Sequence, residues 1–362
     1  MKNAIPLWTP ELPPEVSANI AVAISAGMIG PGPLVKQLER ELAERFGCSH
    51  CVCTSSGSAA LHVLFHVLAD AVGIDPTAVV PEYGYFAAAE ALLCEGWQVE
   101  SLDVAKGGAT LDPEEFDRFD PTAFDAAVFI RHNGSTIGLE EVVDALDGDV
   151  FLVEDMACSI GPAHVKLLGD AGILSFAATK WVTCGQGGAI LTSHTDIARR
   201  VREYCDHGGS EWRVTRRGVS LGNNLRLDDI RAAMILAQLP GANDRWAEYR
   251  AAYDIAMNSS GVPVAVGWMP QALFNSGAAT DQFVSRMQDR GITCAKLYPV
   301  VSSNLWWKSG SIVPRELCTV ASQYADCSVF LPSGPGLSQE QIGRISSIAK
   351  EVIREMVHAA EN

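Results

Sequence analysis

Over roughly its first 240 residues the chain alternates short, fully apolar runs with segments of helical periodicity, and that alternation admits few folds. Residues 35–46 place apolar side chains at helical spacing, and Gly47 stops the pattern. Residues 59–71 and 85–95 read as further helices, and 51–53, 78–80, 99–104, 126–130, 150–154, 173–176 and 189–192 as strands. Strands with intervening helices imply a mainly parallel sheet covered by helices. In such an α/β fold the ligand sits beyond the carboxyl ends of the strands.

Residues 228–238 and 247–257 read as helices leading out of this layer, and from Gly261 the pattern changes. A helix at 283–290, strands at 292–297 and 328–331, and an amphipathic helix at 338–357 follow. Ser338-Gln339-Glu340-Gln341 opens the last of these as a capping box. The expected division is a large domain over 1–240 and a smaller α/β or α+β domain over 241–362. A chain of 362 residues, 48% of them hydrophobic, can fill both.

The net charge of −16 argues against nucleic acid or an anionic membrane as the partner, so any bound phosphate must be held by local donors. The Met1–Pro6 segment lacks an apolar signal core, and no run is long and apolar enough to span a bilayer. The ten cysteines are scattered, several inside apolar runs, which suits reduced thiols in a cytoplasm. Cys48, His50, Cys51 and Cys53 are metal-ligand types, but a tetrahedral site takes a second spaced pair and none follows, so no metal is expected. His62 and His66 share a helix face without the glutamate of a metalloprotease motif, and helix packing accounts for them.

The chemistry concentrates around Lys180, which follows the apolar run ending Leu174-Ser175-Phe176 and precedes Gly185-Gln186-Gly187-Gly188. Upstream, Asp155 closes another apolar run, where a carboxylate is costly unless paired. Ser56-Gly57-Ser58 joins a strand to a helix, a turn with donors for a phosphate. Tyr85 follows a turn and could stack on a planar ring, and Ser175 could donate to a phosphate. Each piece alone has a plainer reading: a serine N-cap, an aspartate cap, a rim aromatic, a satisfied strand hydroxyl, a surface lysine. Together they are what pyridoxal phosphate requires. A lysine amine forms a Schiff base with its aldehyde, and an acid keeps its pyridine nitrogen protonated so that the ring acts as an electron sink.

The order and spacing of these pieces resemble the DegT/DnrJ/EryC1/StrS family of sugar aminotransferases, which are pyridoxal phosphate enzymes of fold type I. The resemblance runs over almost the whole chain. It includes Gly30-Pro31-Gly32-Pro33 with Leu38-Glu39, Ser56-Gly57-Ser58-Ala59-Ala60-Leu61, Glu154-Asp155-Met156-Ala157, and Gly169-Asp170-Ala171-Gly172 with Ser175-Phe176 and Lys180. Gly185–Gly188, Gly222-Asn223-Asn224-Leu225-Arg226, and Leu331-Pro332 with Gly336-Leu337-Ser338 complete it. The resemblance implies Lys180 as the Schiff-base lysine, Asp155 on the pyridine nitrogen, and Gly57, Ser58 and Ser175 at the phosphate. It implies Tyr85 on the ring face and Asn224 as a phosphate ligand of the neighbouring subunit, hence a homodimer with shared sites.

Three positions depart from the family pattern. Cys158 stands where Gln or His usually meets the ring hydroxyl, and a thiol is a poor donor. Gln186 replaces a glutamate, and the Ser302–Trp307 segment, with Trp306 and Trp307, lacks the family's histidine. The expected activity is amino transfer from an amino acid, Glu or Gln, to a keto sugar, nucleotide-linked, or to a ketocyclitol. Arg213, Arg216 and Arg217 are candidates for acceptor phosphates or the donor carboxylate, or form a solvated basic loop. Alternatives are elimination or replacement on an amino-acid-like substrate, and a catalytically silent regulatory protein of the same fold. Related dehydratases carry His in place of the lysine, which Lys180 argues against. No GxGxxG turn follows the first strand, so a nicotinamide oxidoreductase is disfavoured.

Overall fold

The apolar runs of the first 192 residues all become strands of one sheet. The structure is a computed structural model that describes residues 4–106, 110–114, 123–131, 134–146, 148, 150–161, 165–209, 212–216, 220–260, 264–265, 267–303, 311–314 and 317–361. The strands are β1 (His50–Thr54), β2 (Thr77–Pro81), β3 (Gln98–Leu102), β4 (Ala126–Ile130), β5 (Phe151–Asp155), β6 (Ala171–Ser175), β7 (Gly188–Thr192), β8 (Val264–Ala265), β9 (Gln271–Leu273), β10 (Ile312–Pro314) and β11 (Ser328–Phe330). The helices are α1 (Pro14–Ser25), α2 (Pro33–Phe46), α3 (Gly57–Val72), α4 (Ala87–Cys94), α5 (Leu139–Ala145), α6 (Thr195–Cys205), α7 (Trp212–Thr215), α8 (Asp229–Gln238), α9 (Ala242–Ser260), α10 (Gly277–Asp289), α11 (Thr319–Cys327) and α12 (Gln339–Glu361).

The eight-stranded sheet has the order β1-β7-β6-β5-β4-β2-β3-β10. It is parallel from β6 to β10, whereas β7 runs antiparallel to both β6 and β1. Alternate residues of the strands feed opposite cores. Val80, Val128, Val153, Ile173 and Ile190 pack with α3, α4 and α6, while Val79, Ala127, Phe129 and Leu152 pack with α5. Cys51, Cys53, Leu174 and Leu191 join a third cluster with α2, α8 and the C-terminal elements. This two-sided burial is why most of these strands read as apolar runs, β3 excepted. A second sheet, β11-β9-β8, carries α10 and α11, with α12 packed on α9 and α10, and the Ser338 capping box forms, with reciprocal bonds to Gln341 of 2.9 and 3.1 Å.

The strand expected at 292–297 does not form. Its backbone divides its hydrogen bonds between two partners, Ile5 on one side and Phe330 on the other, so neither contact lengthens into a ladder. The helix expected from residue 85 begins at Ala87, leaving Tyr85 outside it. Gly84, at φ 150°, turns the chain there against Ile130, whose Cδ1 would lie 2.9 Å from an added Cβ. Residues 312–314 add β10 to the edge of the large sheet beside β3, a pairing between distant parts of the chain.

The other edge is β1, and its outward polar groups are covered by side chains. Glu39 accepts the Cys53 N–H at 2.9 Å, Arg202 donates to the Cys51 carbonyl at 2.7 Å, and the two are ion-paired at 2.8 Å. Behind the same helix, buried Asp229 accepts the Val35 N–H at 2.8 Å and so caps α2 from α8. An added Cβ at Gly32 would lie within 2.4 Å of that carboxylate, which accounts for the glycine.

Gly188, the first residue of β7, lies against the turn that opens α3: an added Cβ would stand 2.3 Å from the Ser56 carbonyl. Gly188→Ala is expected to destabilise the protein by about 1–3 kcal/mol, the usual range for overpacking. Urea unfolding measures it, and an unchanged midpoint would show that the turn yields.

Candidate active site

Beyond the ends of β4, β5 and β6 lies a cavity of about 670 Å³ whose lining includes Gly57, Ser58, Tyr85, Asp155, Cys158, Ser175, Lys180 and Gln186. Residues far apart in sequence meet there because the strand registers align. Asp155 pairs with Ile130 on one side and Ile173 on the other, so its carboxylate stands at the centre of the sheet's upper edge. Ser56 caps α3 by accepting the Ala59 N–H at 3.0 Å. The Gly57 and Ser58 amides occupy the helix's first turn, where no intrahelical acceptor exists. Ser175 closes β6 directly beside them, its Cβ 3.1 Å from where a Gly57 Cβ would be.

Lys180 sits on the turn after β6, where its N–H bonds the Ala177 carbonyl at 2.9 Å. The neighbouring side chain fixes its direction. Trp181 is buried, donates to the Ala242 carbonyl at 3.1 Å, and packs against Trp246 and Tyr249 with ring centroids 5.0 and 5.1 Å away. With Trp181 anchored in the core, Lys180 reaches the opposite way, into the cavity. Its Nζ lies 3.4 Å from Cys158 Sγ and 4.4 Å from the centroid of the Trp268 ring.

Burial dominates the electrostatics. It raises the Asp155 carboxyl above its ordinary value, opposed by the Ala157 N–H that bonds Oδ1 at 2.9 Å and by the charge of Lys180. It raises the Cys158 thiol as well, with the Lys180 charge pulling the other way. Tyr298, which also lines the cavity, is pushed well up by burial and stays protonated.

Asn224 is not among the cavity residues. It is exposed and accepts from Arg226 at 3.0 and 3.1 Å, while Arg226 pairs with Asp206 at 2.6 Å. Arg213 lies in α7, and Arg216 is exposed at φ 57° just after it. Arg216 is not among the residues that line the cavity. Arg217, Trp306 and Trp307 lie outside the described residues. His62 and His66 both bond Glu95 at the end of α4, at 3.1 and 3.0 Å.

Sequence reasoning passed over Trp8, Trp268, Tyr298 and Arg131, all at the cavity. The two tryptophans come from segments without a motif and carry no advance signal. Arg131 had one: an arginine directly after an apolar strand needs a buried acid. It meets Glu154, whose other oxygen accepts the Leu168 and Gly169 N–H groups at 2.7 and 2.6 Å. The Glu-Asp pair is therefore split by the pleat, Asp155 toward the cavity and Glu154 beneath the sheet, holding the 166–169 loop.

The donor set suits pyridoxal phosphate: free first-turn amides and a serine hydroxyl for a phosphate, a carboxylate for a pyridinium, and an amine for an aldehyde. The sequence profile of the DegT/DnrJ/EryC1/StrS aminotransferase family matches residues 11–350. EpsN of Bacillus subtilis, provisionally named a pyridoxal phosphate-dependent aminotransferase, is 24% identical over 96% of both chains. Helicobacter pylori PseC, an aminotransferase in the biosynthesis of pseudoaminic acid, superposes with a TM-score of 0.88 at 18% identity, covering 98% of this chain and 100% of its own. The GDP-4-keto-6-deoxy-D-mannose-3-dehydratase of E. coli superposes at 0.85 with 19% identity, over 95% of this chain and 99% of its own. The chain belongs to the DegT/DnrJ/EryC1/StrS aminotransferase family and is a pyridoxal phosphate-dependent aminotransferase of fold type I.

Proposed function

We propose that this enzyme transfers the amino group of Glu or Gln to a keto sugar, nucleotide-linked, or to a ketocyclitol, with Lys180 as the residue that holds the cofactor. The observation that carries the reading is the placement of the Lys180 amine in the cavity that Asp155 and the first turn of α3 also line. Bound pyridoxal phosphate supplies an electron sink that stabilises charge developing at the substrate carbon. The Gly57 and Ser58 amides with the Ser175 hydroxyl hold its phosphate at the helix N-terminus. Asp155 holds the pyridine nitrogen protonated, and Tyr85 covers the ring. The amine of Lys180, once free, would take the proton from the donor's Cα as general base and return it at the cofactor's C4′ carbon, across the intervening nitrogen, as general acid.

The site is completed by a second copy of the chain. Asn224, exposed and outside the lining of its own cavity, serves the partner's phosphate, and Arg213, Arg216 and Arg217 follow it to the acceptor's phosphates or the donor's carboxylate. A lysine at position 180 favours amino transfer over the dehydration named for the E. coli protein. The division into a 1–240 cofactor domain and a 241–362 domain belongs to the same reading.

A keto-acceptor panel run on the pyridoxamine form, followed by return of the cofactor spectrum, is expected to show acceptor-dependent turnover with 2-oxoglutarate released from the donor. Ammonia or pyruvate formed without an acceptor would sink amino transfer. Lys180→Ala is expected to lose the borohydride-reducible cofactor bond and more than about a hundredfold in rate, the lower range for a lost general base.

Asp155 gives a prediction with a definite sign. Because burial raises its folded-state value, the native protein holds that proton more tightly than the unfolded chain. The stabilisation is full at pH below the unfolded value and is lost as pH rises through the folded one. At neutral pH the buried carboxylate is a net cost to the cofactor-free protein. Asp155→Asn should therefore raise the Tm of that form at neutral pH while weakening cofactor retention, read by calorimetry and by dialysis. For Cys158, alkylation of the cofactor-free protein by iodoacetamide should be slow at neutral pH and accelerate only above the ordinary thiol range, by peptide mass spectrometry.

A further inference from the structure

Two indoles reach the loop that carries Lys180 from distant parts of the chain. Trp8, in the N-terminal arm, donates its Nε1–H to the Ala178 carbonyl at 2.9 Å. Trp268, just before β9, donates to the Thr179 carbonyl at 3.2 Å. Their rings lie 5.7 Å apart, tilted by 40°, and both line the cavity. Trp268 is 6% exposed, so its ring is fixed by its surroundings. The face of that ring receives the Lys180 Nζ at 4.4 Å, with Cys158 Sγ at 3.4 Å from the same nitrogen.

A lysine side chain freed from its bond to the cofactor has several torsions to explore, and every conformer in which the amine leaves the cavity delays the next proton transfer or bond. An indole face attracts an ammonium through its quadrupole and offers the strongest aromatic platform for one. The backbone beneath the lysine is pinned at two consecutive carbonyls, which fixes where the side chain starts. We infer that Trp268 is a positioning residue, one that docks the Lys180 amine whenever it is not bonded to the cofactor, and that Trp8 holds Trp268 and the loop in register. The inference rests on the assignment of Lys180 as the cofactor-holding residue.

The test follows covalent capture of pyridoxal phosphate by the cofactor-free enzyme, in which the docked ammonium gives up a proton, the neutral Nζ bonds the aldehyde carbon, and the carbinolamine oxygen takes up that proton and leaves as water. Capture is read by absorbance and by quenching of tryptophan fluorescence. Pyridoxamine phosphate, which has no aldehyde, reports phosphate and ring binding alone and serves as the control for an intact fold. Trp268→Leu is expected to slow capture by about two- to tenfold, the range that a cation–π contact of ordinary strength converts to. Its affinity for pyridoxamine phosphate should stay at the wild-type value. Trp268→Phe, which keeps an aromatic face but loses the indole N–H, should recover most of the rate. With an α-deuterated donor, the isotope effect on the half-reaction should rise in Trp268→Leu, because proton transfer becomes slower relative to the other steps.

Wild-type capture and an unchanged isotope effect in Trp268→Leu would overturn the docking role. So would an equal loss in both variants accompanied by weaker pyridoxamine phosphate binding, which marks a structural role. Lys180→Ala separates the two levels of the argument. If it still captures the cofactor covalently, the assignment of Lys180 falls and the docking role with it. If it does not, while Trp268→Leu captures at the wild-type rate, the docking role alone falls.

Discussion

The site depends on how closely two stretches of backbone can approach. The turn that opens α3 rests on the first residue of β7 with no room for a side chain between them. That contact brings the unpaired amides at the start of α3 alongside the end of β6, where Ser175 emerges. A few residues further on, the chain turns through the loop that carries Lys180. An anion at that helix start and an amine on that loop are thereby held at a distance set by main-chain packing, the least deformable kind of contact in a folded protein. Every other feature of the cavity is arranged around this pair.

The carboxylates show how one strand can serve two purposes. In β5, Glu154 and Asp155 are adjacent and both buried, yet the pleat sends them to opposite faces. Glu154 is neutralised by Arg131 and two loop amides and becomes a structural tie. Removing one partner of such a pair is far costlier than the pair's own net contribution. Among the described residues, Asp155 receives the Ala157 N–H and the field of Lys180. It is left under-compensated, as a group reserved for a cationic ligand would be. The protein as a whole is strongly acidic, so donors to a phosphate must be local, and in the proposed reading the first turn of α3 is where they stand.

The large sheet was legible in the sequence because burial on both faces writes most of its strands, β2 and β4 to β7 above all, as apolar runs, and β3 (QVESL) is the exception. Among the proposed cofactor residues, Asp155 and Ser175 were legible because they stand at strand ends, where a polar residue interrupts such a run. Other parts were hidden for physical reasons. The 292–297 run looks like a strand, but its partners are single residues on two sides, a property of tertiary placement rather than of the run. Helices α1, α5, α6 and α11 lay in stretches to which the periodicity argument gave no weight. Trp8 and Trp268 act through a meeting of distant segments, and neither is flanked by residues that would mark it. Glu39 read only as a motif residue, and its work at the edge of β1 appears once α2 is seen lying across that edge.

That edge has a consequence for how copies of the chain can associate. A sheet grows by adding strands to unpaired backbone, and here the Glu39–Arg202 pair occupies the outward groups of β1, while β10 at the far side is short and ends in Pro314, which has no N–H to offer. Extension into a continuous intermolecular sheet is closed at both margins. The proposed pairing of subunits must then run through side chains and loops, Asn224 among them, so subunits could separate and exchange without breaking a single hydrogen bond of the sheet.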